Sequence, residues 1–227
     1  MMGPSFIPSA AVLDYGLTLS LPSRVTADTG IDALTHAIEA YLSRKANLFS
    51  DAMALSALRL MGKHVETVYD DGKNEEAREH MLLGSMLAGA AFSNASVGLV
   101  HGMSRPLGVF FHIPHGMSNA MLLPLVLENI LTDEAMGRFA ECYQAMGYAY
   151  TTTEDAVDSL LARIKYLCKK LKVPSLEQFG VNKNDYFEKI NIMSEQALAS
   201  GSPANSPKSL SKEDIIQLYE ALWEYTY

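Results

Sequence analysis

The residues with the clearest chemical potential begin with an aspartate and a histidine in one apolar segment. Asp32 and His36 are four residues apart, a spacing that places both side chains on the same face of a helix. The surrounding residues are mostly alanine and other apolar types, which predicts a largely buried helix. Because a buried charge is costly without a partner, the pair favours a shared cation. A capping carboxylate or a narrow solvated strip is the alternative interpretation.

A second apolar, glycine-containing segment carries three further histidines, His101, His112 and His115. Pro114 predicts a helix break there, which would turn His115 back towards His101. Four of the six histidines of the chain thus fall in two apolar segments. Imidazoles together with one carboxylate suit a divalent transition metal such as Fe²⁺ or Zn²⁺.

The other reactive residue types offer no comparable pattern. His64 and His80 lie among charged residues and are predicted to occupy solvated helix faces. Cys142 and Cys168 do not have the spacing of a redox pair. The chain has neither a G-x-S-x-G elbow nor a glycine-rich phosphate loop. We therefore predict a metal centre rather than a catalytic nucleophile.

Helical periodicity predicts the elements that would position these residues. The first helix is expected to begin near residue 30, because Thr29 and Asp32 fit a capping box, and Ser211 and Asp214 repeat that pattern. The further predicted helices span about 50–70, 74–93, 97–111, 115–130, 133–146, 154–171, 183–199 and 211–225. The proline-rich residues 1–22 oppose a helix and predict an extended lead-in with one strand at 10–15. The sequence thus predicts an all-α domain behind a short extended lead-in.

Composition excludes several classes of protein. The chain has 227 residues, of which 48% are hydrophobic and 19% charged, which excludes a disordered chain or a disulfide-stapled miniprotein. A net charge of −8 argues against binding to nucleic acid or an anionic membrane. No uninterrupted apolar run approaches the ~18 residues that span a bilayer. With two cysteines and no signal-peptide pattern, a cytoplasmic protein is predicted.

Three segments together resemble the iron-containing (group III) alcohol dehydrogenases. They are Thr-Gly-Ile-Asp-Ala-Leu-Thr-His-Ala-Ile-Glu-Ala-Tyr (29–41), Gly-Leu-Val-His-Gly-Met-Ser-Arg-Pro-Leu-Gly (98–108) and Ile-Pro-His-Gly (113–116). The resemblance covers nearly the whole chain and implies the dehydroquinate-synthase-like fold. It implies that residues 29–227 form the helical metal-binding domain and that residues 1–28 are a remnant of the N-terminal domain and its linker.

The resemblance also implies roles for individual residues. The metal ligands of the family fall on Asp32, His36, His101 and His115, with Fe²⁺, Zn²⁺ or another divalent ion as the metal, and His112 has no ligand role. The family pattern places Phe92 in the pocket for substrate and nicotinamide. Arg105 stands in that pocket where relatives commonly carry a histidine. Because arginine does not titrate near neutral pH, we expect it to contact an anionic group rather than to shuttle a proton.

The implied function is the NAD(P)-dependent interconversion of small alcohols and aldehydes, in a homo-oligomer such as a dimer. The Gly-Gly-Gly-Ser-type dinucleotide loop of the family has no counterpart in this sequence. We therefore expect the metal half of a truncated enzyme, with little NAD(P) binding or activity alone. The alternatives are a non-catalytic metal-binding or assembly remnant, and a split dehydrogenase that pairs with a separate dinucleotide-binding chain. An Asp/His metallohydrolase ranks below these, because only Glu39 offers a general base.

Overall fold

Ten α-helices form the framework of residues 8–227, the part of the chain that the computed structural model describes. The helices are α1 (Ser23–Leu42), α2 (Leu48–Asp70), α3 (Glu75–Ala95), α4 (Leu99–Phe111), α5 (His115–Ile130), α6 (Met136–Ala145), α7 (Thr153–Lys170), α8 (Leu176–Phe179), α9 (Lys183–Ala199) and α10 (Lys212–Glu224). Short 3₁₀ turns lie at Tyr15–Thr18, Asp133–Ala135 and Pro203–Asn205. Residues 8–227 contain no β-strand, and the prediction of an all-α fold is confirmed.

The start of α1 corrects the predicted capping box at Thr29. The helix begins at Ser23, directly after the extended residue Pro22, and Thr29 lies inside it. The Thr29 hydroxyl donates to the Val25 carbonyl at 2.8 Å, because threonine in a helix satisfies its side chain by bonding to the preceding turn. The predicted domain boundary after residue 28 falls within this helix, and the division into domains stays a prediction.

The lead-in contains no strand in its described part, so the strand predicted at 10–15 is wrong. The Asp14 carboxylate instead accepts a hydrogen bond from the Gly16 amide at 2.9 Å and starts the 3₁₀ turn at Tyr15–Thr18. An extended run needs a neighbouring strand to pair its backbone, and these residues have none within the described chain. Residues 1–7 of the predicted lead-in lie outside the described residues.

Local sequence features mark other helix ends in the structure. Ser211 and Asp214 form the predicted capping box of α10. Gly180 ends α8 with a φ of 100°, a left-handed conformation that glycine adopts without a steric penalty. The four-residue helix α8 was not predicted, because one turn is too short to show a 3.6-residue period. The sequence feature that could have indicated α8 is its capping box between Ser175 and Gln178.

Helix α1 is the centre of the architecture and is buried along most of its length. It contacts α2 and α3, which form a hairpin on one side, and also α5 and α6. Helix α4 packs against α5 and α9, while α7 packs against α5 and α6. The helices α1, α4 and α5 carry the residues singled out from the sequence, so the core of the fold also positions the candidate site.

None of the helices in the described residues is by itself long and apolar enough to cross a membrane. Helices α3 and α4 have the necessary length and apolar composition only as a pair, and they meet at a bend of 104°.

Both cysteines are predicted to resist modification in the native protein. Cys142 and Cys168 are free and fully buried, and burial raises the pKa of both thiols above its ordinary value. Because the thiolate is the reactive form, the native chain should show no fast reaction with DTNB. Both thiols should react once guanidinium unfolds the chain. A thiol in the native protein that reacts as fast as free cysteine would contradict this.

Candidate metal centre

Three helices bring the four predicted ligands together. Asp32 and His36 lie on successive turns of α1, His101 lies in the first turn of α4, and His115 is the first residue of α5. The break predicted at Pro114 is confirmed, since α4 ends at Phe111 and α5 begins after the proline. The chain reverses there, so that the His101 and His115 ring centroids are 5.2 Å apart.

The side chains converge to distances at which they could share one ion. One ligand atom from each of the four residues lies within 4.8 Å of the others. The Nε2 atoms of His36 and His101 are 2.9 Å apart. Asp32 Oδ1 lies 3.4 Å from His101 Nε2 and 3.7 Å from His115 Nε2. The structure thus brings all four residues together, and their role as ligands stays a prediction.

The donor set fits the divalent metal that the sequence predicts. One carboxylate and three imidazoles form a mixed oxygen and nitrogen set, which suits iron, zinc and similar ions. Two imidazole Nε2 atoms at 2.9 Å cannot both carry a proton towards each other, so they must share either a proton or a cation. About half of the His115 side-chain surface is exposed, against 3% for His101. The cluster is therefore buried on one side and open on the other.

The electrostatics of the cluster favour ionised Asp32 and neutral His36. Burial lowers the pKa of His36 to about 4, and the charge of His101 adds to this effect. Burial also lowers the pKa of His115. Burial raises the pKa of Asp32, but the hydrogen bond to His101 and the electrostatic interactions with the three histidines outweigh it and lower the pKa overall. Neutral imidazoles and a carboxylate are the forms that bind metals.

His101 is held differently, because it faces two carboxylates. Burial opposes its protonation, but hydrogen bonds with Asp32 and Glu39 and their charges raise the pKa of His101 to about 9. Without a metal, His101 therefore retains a proton near neutral pH. That proton compensates the buried carboxylate of Glu39 and the half-buried carboxylate of Asp32, which would otherwise lack a positive partner.

Glu39 contacts the cluster from behind His101, although the sequence suggested it only as the general base of a hydrolase. It is 2% exposed, and its Oε2 lies 2.6 Å from His101 Nδ1. Its Oε1 accepts a hydrogen bond from the Val100 amide at 2.7 Å. A proton held between Nδ1 and the carboxylate leaves Nε2 of His101 facing the cluster. The position of Glu39, seven residues after Asp32 on the same helix face, was the signal that could have identified it.

Asn119 also lies in the cluster and was missed. Its Nδ2 donates to Asp32 Oδ1 at 2.7 Å and lies 3.2 Å from Nε2 of both His101 and His115. The residue is fully buried, and its Oδ1 has no hydrogen-bond partner in the described chain. Asn119 follows His115 by four residues on α5, a spacing that places the amide beside the imidazole. We infer that Asn119 orients the Asp32 carboxylate.

The predicted pocket residues lie at the edge of the cluster. The Phe92 ring of α3 stacks on His36 with centroids 4.5 Å apart. Arg105 is exposed, donates to Ser202 Oγ at 3.2 Å, and its charge contributes to the lowered pKa of His115. His112 is exposed at the end of α4 with a φ of 55° and is not part of the cluster. The roles of Phe92 and Arg105 towards a substrate stay predictions.

The fold and the cluster define an all-helical domain with a candidate metal centre. The family model described as "Fe-containing alcohol dehydrogenase family, C-terminal" matches residues 26–223. The chain belongs to the iron-containing alcohol dehydrogenase family, and the resemblance seen in the sequence is confirmed.

Individual relatives agree with this assignment. The NADPH-dependent butanol dehydrogenase of Clostridium saccharobutylicum is 36% identical over 217 residues, which cover 95% of this chain and 55% of that protein. The 1,3-propanediol dehydrogenase of Klebsiella pneumoniae is 37% identical, covering 94% and 54%. The structure of an iron-containing alcohol dehydrogenase from Thermococcus thioreducens superposes with a TM-score of 0.89 at 32% identity, covering 99% and 57%. The chain thus spans about half the length of these relatives.

Replacing Glu39 by glutamine should weaken metal binding without unfolding the chain. Glutamine retains an oxygen for the Val100 amide but loses the charge that orients His101. Loss of such an outer contact typically costs ~10–100-fold in metal affinity. Chelator competition for the tightest-bound Zn²⁺ measures this, with the exposed Glu79→Gln variant on α3 as the matched control. Equal affinity in Glu39→Gln and wild type would show that Glu39 does not orient His101.

Replacing Gly116 by alanine should displace the start of α5. A Cβ atom there would lie 2.4 Å from the Asp28 carbonyl oxygen of α1, so one of the two helices must move. We expect a loss of ~1–3 kcal/mol in the free energy of unfolding and weaker metal binding through the adjacent His115. Urea denaturation and chelator competition measure the two effects.

Gly137→Ala on α6 is the matched control, because its Cβ would meet open space. Alanine there should be neutral or stabilise the helix by up to ~1 kcal/mol. If both glycine variants behaved alike, the close approach of α1 and α5 would not constrain the site.

Proposed function

We propose that this chain provides the metal centre of an alcohol dehydrogenase that interconverts small alcohols and aldehydes with NAD(P). The observation that supports this most directly is the convergence of Asp32, His36, His101 and His115 in a member of the iron-containing alcohol dehydrogenase family. Fe²⁺ is the proposed metal, and Zn²⁺ or another divalent ion is the alternative. A homo-oligomer in the cytoplasm is part of the same proposal.

In this proposal Asp32 and the three histidines hold the metal. When bound, the metal would polarise the substrate oxygen as a Lewis acid, and the nicotinamide would carry the hydride. The exposed side of His115 leaves room for a small alcohol or aldehyde to approach the cluster. Phe92 covers His36 with an apolar ring and excludes water from that side.

Arg105 and Glu39 have different parts in the proposed site. Arg105 is an exposed residue one turn after His101, where it would attract an anionic group of substrate or cofactor. Glu39 is buried behind His101 and acts through that imidazole rather than on the substrate. Its burial also removes the free general base that a metallohydrolase at this cluster would need, which supports the dehydrogenase.

The whole activity is proposed for this chain together with a dinucleotide-binding unit. The chain spans about half the length of its relatives, and the described residues are helical throughout their regular elements. The proposal requires a dinucleotide-binding unit, whether on the same polypeptide or on a separate chain. The metal centre and the cofactor site would then meet where His115 and Arg105 are exposed.

The metal-binding part of the proposal predicts a loss of metal from the Asp32→Ala variant. Asp32 supplies the only carboxylate of the four ligands, so its removal leaves the imidazoles without a negative partner. Elemental analysis of protein purified without added metal should find about one tightly bound ion fewer per chain in this variant than in the wild type. Asp158→Ala, at an exposed position of α7, should retain the ion. An equal ion content in Asp32→Ala and the wild type would contradict the assigned site.

The catalytic part predicts activity that depends on both halves. The chain alone should reduce butyraldehyde with NADPH weakly or not at all. Addition of the dinucleotide-binding half of the Clostridium relative should raise the rate, and His101→Ala should abolish the increase. An unchanged rate with His101→Ala would contradict the dehydrogenase. A metal-loaded chain that never gains activity would favour a non-catalytic metal-binding domain.

A further inference from the structure

A second cluster of metal-binding residue types lies in the hairpin of α2 and α3. His64 belongs to α2, while Glu76 and His80 are four residues apart on α3, so both point to one face of that helix. One ligand atom from each lies within 4.8 Å of the other two. The sequence predicts solvated faces for both histidines, but in the structure they are half-buried and their rings stack with centroids 4.3 Å apart.

The His64 ring is already oriented for a ligand. Its Nδ1 lies 2.6 Å from the Leu60 carbonyl oxygen. Because a carbonyl only accepts hydrogen bonds, Nδ1 must donate, and the neutral ring then carries its lone pair on Nε2. This backbone contact is the kind that fixes the tautomer of metal-bound histidines.

His80 and Glu76 have no hydrogen-bond or ion-pair partner among the described residues. The Nδ1 atom of His80 is buried and lacks a hydrogen-bond partner within residues 8–227, a state that native proteins rarely leave uncompensated. The Glu76 carboxylate forms no ion pair among the described residues 8–227. A cation between the two helices would provide a partner for both groups.

We propose that His64, Glu76 and His80 bind a divalent late transition metal ion of the Zn²⁺ type, which bridges α2 and α3. Two imidazoles and one carboxylate form a ligand set that suits Zn²⁺, Ni²⁺ or Cu²⁺ and leaves a further position for water. Binding turns the two rings out of their near-parallel stack, which has an interplanar angle of 17°, so that both lone pairs meet at the ion. The exposed Glu76 closes the site on the solvent side.

This site is separate from the cluster on α1, α4 and α5. Phe92, which stacks on His36 of that cluster, follows His80 along α3 by about 18 Å of helix, at 1.5 Å per residue. The two sites share no ligand, so the second proposal does not depend on the dehydrogenase function.

Equilibrium dialysis of the metal-free chain against Zn²⁺ tests the proposal by stoichiometry. We expect two equivalents of bound Zn²⁺ per chain for the wild type. The His64→Gln/His80→Gln double variant and the Asp32→Ala variant should each bind one. His112→Asn, which removes an exposed imidazole outside both clusters, should retain two. Circular dichroism confirms that each variant is folded.

A second measurement avoids dependence on the double variant. Co²⁺ added to Asp32→Ala should give visible absorption bands from the remaining site, and the further exchange Glu76→Gln at an exposed position should shift or remove them. Two equivalents in the histidine double variant, or Co²⁺ bands that Glu76→Gln leaves unchanged, would overturn the second site. Two equivalents of Zn²⁺ in Asp32→Ala, with one in the double variant, would instead contradict the metal site assigned to the first cluster. The proposal for the second site would then stand.

Discussion

The constraint on which the whole structure depends is that the buried carboxylate of Glu39 and the half-buried carboxylate of Asp32 lie on one apolar helix and must be compensated. Asp32 and Glu39 both lie on α1, which packs against four other helices. Moving an ionised carboxylate out of water is so costly that it must be paired and hydrogen-bonded. The pairing comes from His101, which contacts both carboxylates. The same contacts that compensate the charge therefore assemble the candidate metal centre.

Glu39 links this electrostatic requirement to the placement of α4. The first amides of a helix lack partners within the helix, and Gly98 before α4 has no side chain to cap them. Glu39 accepts from the Val100 amide and Ser206 from the Leu99 amide. A Cβ atom on Gly98 would lie 3.0 Å from Glu39 Oε1, so the glycine permits the carboxylate to reach the helix end. The position of His101 thus depends on a cap supplied by another helix.

The structural features that depend on local residue spacing could be predicted from the sequence. Helical periodicity predicted most helices, and two apolar segments pointed to a cluster of histidines. The family resemblance then selected Asp32, His36, His101 and His115 as the set that meets. Features that depend on tertiary packing were not accessible in this way. The start of α1 was misplaced because Thr29 bonds to its own helix, a choice that its neighbours in sequence do not reveal. His64 and His80 were assigned to solvent because their approach results from the packing of α2 on α3, and charged neighbours in the sequence concealed it.

The two clusters differ in what a bound ion would do to the fold. An ion that binds only the folded chain adds stability, ~2.7 kcal/mol at a concentration 100-fold above its dissociation constant. In the first cluster that stability would hold together α1, α4 and α5, whose ligands are separated by up to 83 residues between Asp32 and His115. In the second cluster it would act within one hairpin that is already closely packed. Loss of the first ion should therefore loosen the long-range arrangement of the core, whereas loss of the second should affect only the contact between α2 and α3. Because His115 is both a predicted ligand and the first residue of α5, that loosening would begin at the exposed side of the site, where the substrate would approach.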